Sequence, residues 1–285
     1  MQTTKIALVQ MNSLVEQTEL NLQKIAQYTK RAAAQKVAII CFPELAVVGY
    51  SREKAALYQE SIPGDSSAYL SELARRYNIV ILTGIAEKSA VPTKPYITHL
   101  VIFPDGRVEK YRKTHLGSSE KPYFTAGNQL STFATESAQF GVQICWDLHF
   151  PEVSTIMSLE GAEIIFAPHA SPCIAGDRKA MWLKYLTARA YDNTVYVATC
   201  NLVGDNGYGH QFSGGAMVID PKGNVIAEDF NNQESMLVVN LDAEAINKIR
   251  YQKATTMKNI FYLQVRRPEL YKKLILHWSG QPTHK

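Results

Sequence analysis

The sequence predicts one α/β domain with a mixed sheet and helices on its faces. Two observations favour this class. Short β-branched runs alternate with helical patterns, and no Pro/Gly/Ser-rich linker, composition shift or internal repeat divides the 285 residues. A chain of this length suits one large or two small domains. Because no boundary is visible, we predict a single domain over residues 1–285.

The N-terminal half alternates strand and helix before it turns to hairpins. Its first helical pattern is an apolar face that begins at Leu22 and recurs at i+3, i+4, i+7, i+10 and i+11. The turn sequence FPDGR at 103–107 predicts a hairpin. The predicted strands are 5–11, 37–42, 79–86, 98–102, 108–111, 131–135 and 140–145, and the predicted helices cover 22–33 and about 66–77.

The C-terminal half resumes the alternation. Pro151 suits the first turn of a helix and Gly161 suits the position after its end, which predicts a helix over 151–160. The turn sequence DPKG predicts a last hairpin within 215–228. The remaining predicted elements are strands at 163–168, 195–200 and 236–241 and a helix at 178–192.

Composition excludes several classes of protein. Hydrophobic residues make up 46% and charged residues 20%, so the chain is neither disordered nor of low complexity. No apolar run approaches the roughly 18 residues of a membrane span, and the N-terminus does not resemble a secretory signal. None of the four cysteines lies in a CxxC pair. We therefore expect a reduced, cytoplasmic protein without a membrane partner.

Basic residues are concentrated at the C-terminus. The formal charge is 30 − 26 = +4, whereas residues 241–285 hold nine Lys/Arg against three Asp/Glu, or +6. This basic C-terminal segment lacks the tight clustering and interleaved aromatic residues of a single-strand binder. We expect a solvated or subunit-facing surface and no nucleic-acid partner, and binding that falls steeply with salt would contradict this.

Two reactive side chains follow predicted strands. Glu44 comes directly after the run VAIICFP, and Cys145 ends FGVQI just before the chain must turn into the helix at Pro151. Ligands gather at the carboxyl ends of strands in sheets covered by helices, so both side chains could point into one crevice. A cysteine at such a turn can serve as a nucleophile, although cysteines at apolar positions are more often inert packing.

The base for such a cysteine is open at this point. The seven histidines form no recognisable arrangement with Cys145, and no spacing typical of a metal site or a phosphate-binding loop occurs. A buried carboxylate beside a lysine could deprotonate the thiol, and Glu44 with Lys113 fits that role. Lys113 and Glu120, seven residues apart, could also meet, although a solvated surface pair is the more common outcome.

Three segments together resemble the nitrilase, or carbon–nitrogen hydrolase, superfamily. They are FPELAVVGY at 42–50, YRKTHL at 111–116 and ICWDLHFPE at 144–152, and their order and spacing match the family's three signatures. The resemblance extends through most of the chain and fades after about residue 240. It implies an αββα sandwich of mixed sheets with helices on the outer faces, and a homodimer or larger homo-oligomer.

The resemblance also implies roles for individual residues. Cys145 would be the nucleophile, Glu44 the general base and Lys113 the cation that stabilises the tetrahedral intermediate, together with the backbone N–H of Trp146. Glu120, in EKPYF, would be an additional glutamate that positions substrate. No cofactor or metal is implied. The loops around His169, Ala170 and Cys173 are expected to shape the substrate pocket, with His169 equally compatible with a packed core residue.

These implications lead to a hydrolase of a non-peptide C–N bond. It would act on a small carboxamide or N-carbamoyl substrate through a cysteine thioester and release ammonia. Asp147 in CWD resembles the amidase and carbamoylase branches more than the CWE of nitrilases. A nitrilase that converts a nitrile to acid and ammonia is the alternative, and a non-catalytic binding or assembly protein of this fold is a further one.

Overall fold

The computed structural model describes residues 1–252, 256 and 259–276. Its strands are β1 (Thr4–Gln10), β2 (Ile39–Cys41), β3 (Val80–Glu87), β4 (Tyr96–Ile102), β5 (Val108–Arg112), β6 (Thr132–Ala134), β7 (Gln139–Val142), β8 (Ile164–His169), β9 (Tyr196–Asn201), β10 (Val203–Asp205), β11 (Gln211–Ser213), β12 (Ala216–Ile219), β13 (Val225–Asp229) and β14 (Ser235–Leu241). Its α-helices are α1 (Thr18–Ala34), α2 (Asp65–Tyr77), α3 (Pro151–Leu159), α4 (Arg178–Asn193), α5 (Ala243–Arg250) and α6 (Lys272–Leu276).

The strands form two six-stranded mixed sheets with matching topology. The first has the order β14-β1-β2-β3-β4-β5 and the second β13-β12-β9-β8-β7-β6. In the first sheet β1, β2 and β3 run parallel, and in the second β7, β8 and β9 do, as in the registers Ile6↔Ile39 and Phe140↔Ile164. The other strands of each sheet pair antiparallel with their neighbours. The C-terminal strand β14 pairs antiparallel with β1, so the first sheet is completed by residues more than 200 positions apart.

The two sheets pack face to face, with helices outside. Strand β1 contacts β9 and β12 across the interface, α2 covers β3 and β4, and α4 covers β9 and β12. This is the four-layer αββα sandwich that the family resemblance implies, and that expectation is confirmed. The single mixed sheet predicted from the residues alone is wrong. Strands of both halves carry the same apolar pattern, so the pattern cannot assign them to separate sheets.

Strand β8 shows why the central strands are apolar on both faces. Ile164 and Phe166 point into the large core between the sheets, whereas Ile165 and Ala167 point into a smaller core under α4 with Trp182. Successive side chains of a strand face opposite sides. A strand that is buried on both sides therefore becomes a continuous apolar run.

Most predicted elements are found within two or three residues of their expected bounds. The hairpin β10–β11 and the helices α5 and α6 were not predicted. The hairpin is short and interrupted by glycines, including Gly204, Gly207 and Gly209 at positive φ. The basic C-terminal segment lies partly outside the described residues. Within it, Arg250 is 6% exposed and donates to the carbonyl oxygens of Thr194 and Ala162, so this cation is a packing residue rather than a solvated one.

Within the described residues, no helix is long and apolar enough to cross a membrane.

Candidate active site

Glu44 lies on the loop after β2 and is 1% exposed. A close approach between that loop and β3 sets its position. A Cβ added at Gly84 would lie 2.8 Å from the Glu44 carbonyl carbon, and Leu45 adopts a φ of 52°. The carboxylate accepts hydrogen bonds from Lys113 Nζ to Oε1 at 2.8 Å and from the Ala170 backbone N–H to Oε2 at 2.9 Å. Both partners hold its two oxygens in one orientation.

Lys113 follows β5 and is also 1% exposed. Its backbone is fixed by hydrogen bonds to Ile97 and from Gly127, each at 2.8 Å. The ammonium group donates to Glu44 at 2.8 Å and to Glu120 Oε1 at 2.7 Å. Burial opposes the charged form of this lysine, but the two carboxylates outweigh it and raise the pKa of Lys113 well above its usual value. The lysine is therefore held charged between two acids.

Glu120 is held on both oxygens. Its Oε1 accepts from Lys113 and from the Tyr50 hydroxyl at 3.1 Å, and its Oε2 accepts from the Gly117 backbone N–H at 2.9 Å. The residue is 5% exposed. The contact between Lys113 and Glu120 that the sequence spacing allowed is thus present. It is a buried pair and not the solvated surface pair that is more common.

Cys145 starts a short 3-10 helix, Cys145–His149, between β7 and α3. Its backbone is in the left-handed region at a φ of 46°, which is costly for any residue except glycine and recurs at functional sites. The Sγ atom lies 3.5 Å from the Ser171 hydroxyl. Burial raises the pKa of the Cys145 thiol to about 12, and the nearby negative charge of Glu44 adds to this increase. The sulfur is therefore a neutral thiol at neutral pH.

The same surroundings place Glu44 in the range of a base. Burial raises the pKa of Glu44 to about 7, against the lowering effect of Lys113 and with a further increase from Glu120. A carboxyl group with a pKa near the working pH can take a proton and return it.

The thiol and the carboxylate follow strands of different sheets, because β2 belongs to the first sheet and β7 to the second.

The three predicted pocket residues, Trp146, His169 and Ala170, differ in their exposure and in their contacts. Trp146 is 42% exposed, and its backbone N–H makes no hydrogen bond within the described part of the chain. The N–H of Ala170 orients Glu44. His169 is fully buried, with Nδ1 beside the Ala167 carbonyl at 2.8 Å and Nε2 accepting from Trp182 Nε1 at 3.2 Å. Both ring nitrogens of His169 are therefore engaged within the core.

Asp147 accepts hydrogen bonds from residues beside both Cys145 and Lys113. The sequence did not indicate this role. Its Oδ1 accepts from the His115 backbone N–H at 2.8 Å and from Thr114, and its Oδ2 accepts from the Ile144 N–H at 3.0 Å and from Tyr111. The side chain is fully buried. Asp147 thus fastens the Cys145 turn to the segment after Lys113.

Tyr50 and Asn201 also contribute to the site and were not predicted from the sequence. The Tyr50 hydroxyl donates to Glu120, and Asn201 accepts from the Ser171 backbone N–H at 2.8 Å and so holds the loop that contacts Cys145. Tyr50 ends the segment FPELAVVGY, whose last residue could have suggested a role. Asn201 ends a buried strand, and no local pattern marks it.

Fold and site together define a cysteine hydrolase of the αββα type. Residues 5–251 match the family model for carbon–nitrogen hydrolase, and the chain belongs to this family. The expected superfamily and enzyme class are thereby confirmed.

Relatives of known name cover nearly all of the chain. It is 31% identical to the omega-amidase NIT2 of Mus musculus, over 95% of this chain and 98% of the relative. It is also 31% identical to a nitrilase of Pyrococcus abyssi, over 94% and 98% of the two chains. Among solved structures, a mutant of the amidase from Nesterenkonia sp. AN1 in complex with butyramide has a TM-score of 0.80 at 27% identity, and covers 95% of this chain and 96% of its own.

Proposed function

We propose that this enzyme hydrolyses a small carboxamide to a carboxylic acid and ammonia, with Cys145 as nucleophile. The observation that supports it most directly is the buried group Glu44–Lys113–Glu120, in which one ammonium joins two carboxylates beside a thiol on a strained turn. Relatives named omega-amidase and the butyramide complex favour an amide as substrate. In another mutant of the same amidase, the acetamide moiety of fluoroacetamide is attached to the active-site cysteine.

The first half of the reaction forms a thioester. Glu44 accepts the thiol proton as Cys145 Sγ attacks the amide carbon, and the carbonyl oxygen becomes an oxyanion. Lys113 and the backbone N–H of Trp146 are the donors that stabilise it, and one such donor is typically worth about 3 kcal/mol. The C–N bond then breaks, the nitrogen takes the proton from Glu44, and ammonia leaves.

The second half returns the enzyme to its starting state. Water replaces ammonia, Glu44 takes a proton from it, and the hydroxide equivalent attacks the thioester carbon. The C–S bond breaks, the sulfur recovers the proton from Glu44, and the acid is released. Glu120 keeps Lys113 charged and fixed throughout, because its own two oxygens are held by Tyr50 and Gly117. The same residues could convert a nitrile through a thioimidate, as the nitrilase relative suggests.

Further parts of this proposal concern the whole molecule. We propose that residues 1–285 act as one catalytic unit in the cytoplasm, assembled as a homodimer or larger homo-oligomer, with the basic C-terminal segment at a surface. N-carbamoyl compounds are a second amide-like class that the same chemistry could cleave.

The test is ammonia release from a panel of carboxamides, N-carbamoyl compounds and nitriles, with amide products of the nitriles followed in parallel. We expect release from carboxamides that Cys145→Ala abolishes. Cys173→Ala is the matched control, because this exposed cysteine has no place in the proposed chemistry. Full activity in Cys145→Ala would overturn the mechanism, and release from nitriles alone would overturn the amide assignment.

A further inference from the structure

The hairpin β10–β11 carries a buried asparagine at its turn that reaches the segment of Tyr50. Asn206 follows β10 and is 1% exposed. Its Oδ1 accepts hydrogen bonds from the backbone N–H groups of Tyr208 at 2.9 Å and His210 at 3.0 Å, which closes the turn. Its Nδ2 donates to the carbonyl oxygen of Tyr50 at 2.7 Å. One side chain therefore builds the hairpin turn and also joins it to a distant loop.

The backbone next to Tyr50 is closely packed on a second segment that Asn206 holds. Gly49 has a φ of 75°, and a Cβ added there would lie 2.7 Å from the backbone nitrogen of Val15. That nitrogen donates to the Asn206 carbonyl oxygen at 3.0 Å. Asn206 thus binds Tyr50 directly and also binds the segment against which Gly49 lies.

The ring of Tyr50 packs on the same hairpin. Phe212 of β11 meets it edge-on, with ring centroids 6.3 Å apart. Phe212 also pairs with Pro172 in an isolated β-bridge, next to Ser171, whose hydroxyl lies 3.5 Å from Cys145 Sγ. The hairpin therefore contacts the Tyr50 segment as well as the loop beside the nucleophile.

The hydroxyl of Tyr50 lies within the charged group of the site. It donates to Glu120 Oε1 at 3.1 Å, and the same oxygen accepts from Lys113 at 2.7 Å. Burial raises the pKa of Tyr50 well above its usual value, and the negative charge of Glu120 adds to this increase. The phenol therefore stays protonated at neutral pH and remains a donor to Glu120.

We propose that Asn206 is a positioning residue for this site and acts through Tyr50 on Glu120. Without the Asn206 amide, the Tyr50 carbonyl loses a buried donor, and this loss favours movement of the loop. A displaced phenol releases one contact of Glu120, the acid that fixes Lys113. The inference rests on the proposed amide hydrolysis and deepens it by adding a residue that no contact with the reacting atoms would reveal.

Two substitutions remove the bond to Tyr50 and keep an acceptor for the turn. Asn206→Asp has the same shape and retains an oxygen for the two turn N–H groups, but it has no N–H for the Tyr50 carbonyl. Asn206→Ser is uncharged, can accept from the turn, and is too short to reach that carbonyl. With the best carboxamide we expect kcat to fall on the order of tenfold in both variants at nearly constant KM, because misplaced groups stabilise the transition state less.

A double-mutant cycle with Tyr50→Phe tests whether the effect passes through the hydroxyl. Tyr50→Phe removes the group that donates to Glu120. In that background Asn206→Ser should lower kcat by less than about twofold more, because the contact on which it acts is already absent. Losses that multiply would overturn the inference, as would an unchanged kcat in the Asn206 variants. If Asn206→Ser does not fold, Asn206→Asp completes the same cycle.

Asp205→Ala is the matched control. It removes from the same turn an exposed carboxylate that accepts from the Gly207 N–H at 2.6 Å. We expect a kcat close to that of the wild type, because the Asn206 bond to Tyr50 is kept. A fall of kcat as large as that in Asn206→Ser would mean that any loosening of the hairpin suffices, and it would overturn the specific role of Asn206.

Alkylation by iodoacetamide separates this inference from the proposed function. Cys145 Sγ forms a bond to the methylene carbon, iodide leaves and Glu44 takes the thiol proton, so no hydrolysis is needed. The rate is measured in a Cys173→Ala background, because Cys173 is exposed. Slower alkylation in Asn206→Ser and in Tyr50→Phe, without a further loss in the double variant, would support the inference even if the wild type released no ammonia. Ammonia release with losses that multiply would mean that the hydrolysis holds and the inference fails.

Discussion

The carboxylate of Asp147 lies 2.8 Å from the backbone nitrogen of His115 and so joins the turn that carries Cys145 to the segment that carries Lys113. Asp147 is fully buried, and it connects a segment that follows the first sheet with a turn that follows a strand of the second. Cys145 and Lys113 must stay within reach of the same carbonyl group during catalysis. We therefore expect Asp147 to act as a positioning residue, because its carboxylate accepts from the backbone N–H groups of both His115 and Ile144.

Asp147→Glu tests whether this residue selects the reaction. The longer side chain must displace Ile144 or His115, so we expect a loss of about 1–3 kcal/mol in the free energy of unfolding and a lower kcat. We expect no gain of nitrile hydrolysis. Urea unfolding and ammonia release from an amide and from its matching nitrile measure both effects. A stable variant that hydrolyses nitriles would show that Asp147 governs the reaction and does not only position the Cys145 turn.

The backbone at Cys145 provides a second prediction. A φ of 46° is unfavourable for residues with a Cβ. The free energy of unfolding of Cys145→Gly should therefore be about 1 kcal/mol larger than that of Cys145→Ala. Both variants should be inactive, so the comparison reports strain and not catalysis. Denaturant melts of the two variants are sufficient. Equal stabilities would mean that the turn stores no strain at the nucleophile.

The acid limb of the pH profile should report Glu44. The deprotonated carboxylate is the active base, so kcat/KM should fall about tenfold per pH unit below a midpoint near 7. The charge of Glu120 contributes to the raised pKa of Glu44. Glu120→Gln should therefore shift the midpoint to lower pH, in addition to any fall in kcat. A limb that stays near 7 in this variant would contradict the coupling of the two acids.

Gly84→Ala should displace Glu44 while leaving the Glu44 side chain itself unchanged. An added Cβ would lie 2.8 Å from the Glu44 carbonyl carbon, so the loop that carries Glu44 must move. Misplacement by about 1 Å can cost 100-fold in rate, and we expect a fall of kcat/KM of that order with some loss of stability. Kinetics on one amide together with a thermal melt check this. Unchanged kcat/KM would show that the loop accommodates the methyl group.

Sequence reasoning identified the main chemical groups of the site but not their arrangement. Motif order and spacing indicated Glu44, Lys113, Cys145 and Glu120, and the structure brings the three charged groups into one buried cluster next to the Cys145 turn. Their roles in catalysis stay predictions until the variants are measured. Tyr50, Asn201 and Asp147 were not predicted as site residues, because their contacts come from loops distant in sequence.

The sequence by itself determined the family, the reaction class and most strands and helices, because these depend on local spacing, turn residues and motifs that a linear pattern preserves. Only the tertiary structure decided that the strands form two sheets and that Lys113 bridges two buried acids. Burial, charge pairing and pKa depend on which distant segments meet in three dimensions. A pattern of residues along one chain does not contain those distances.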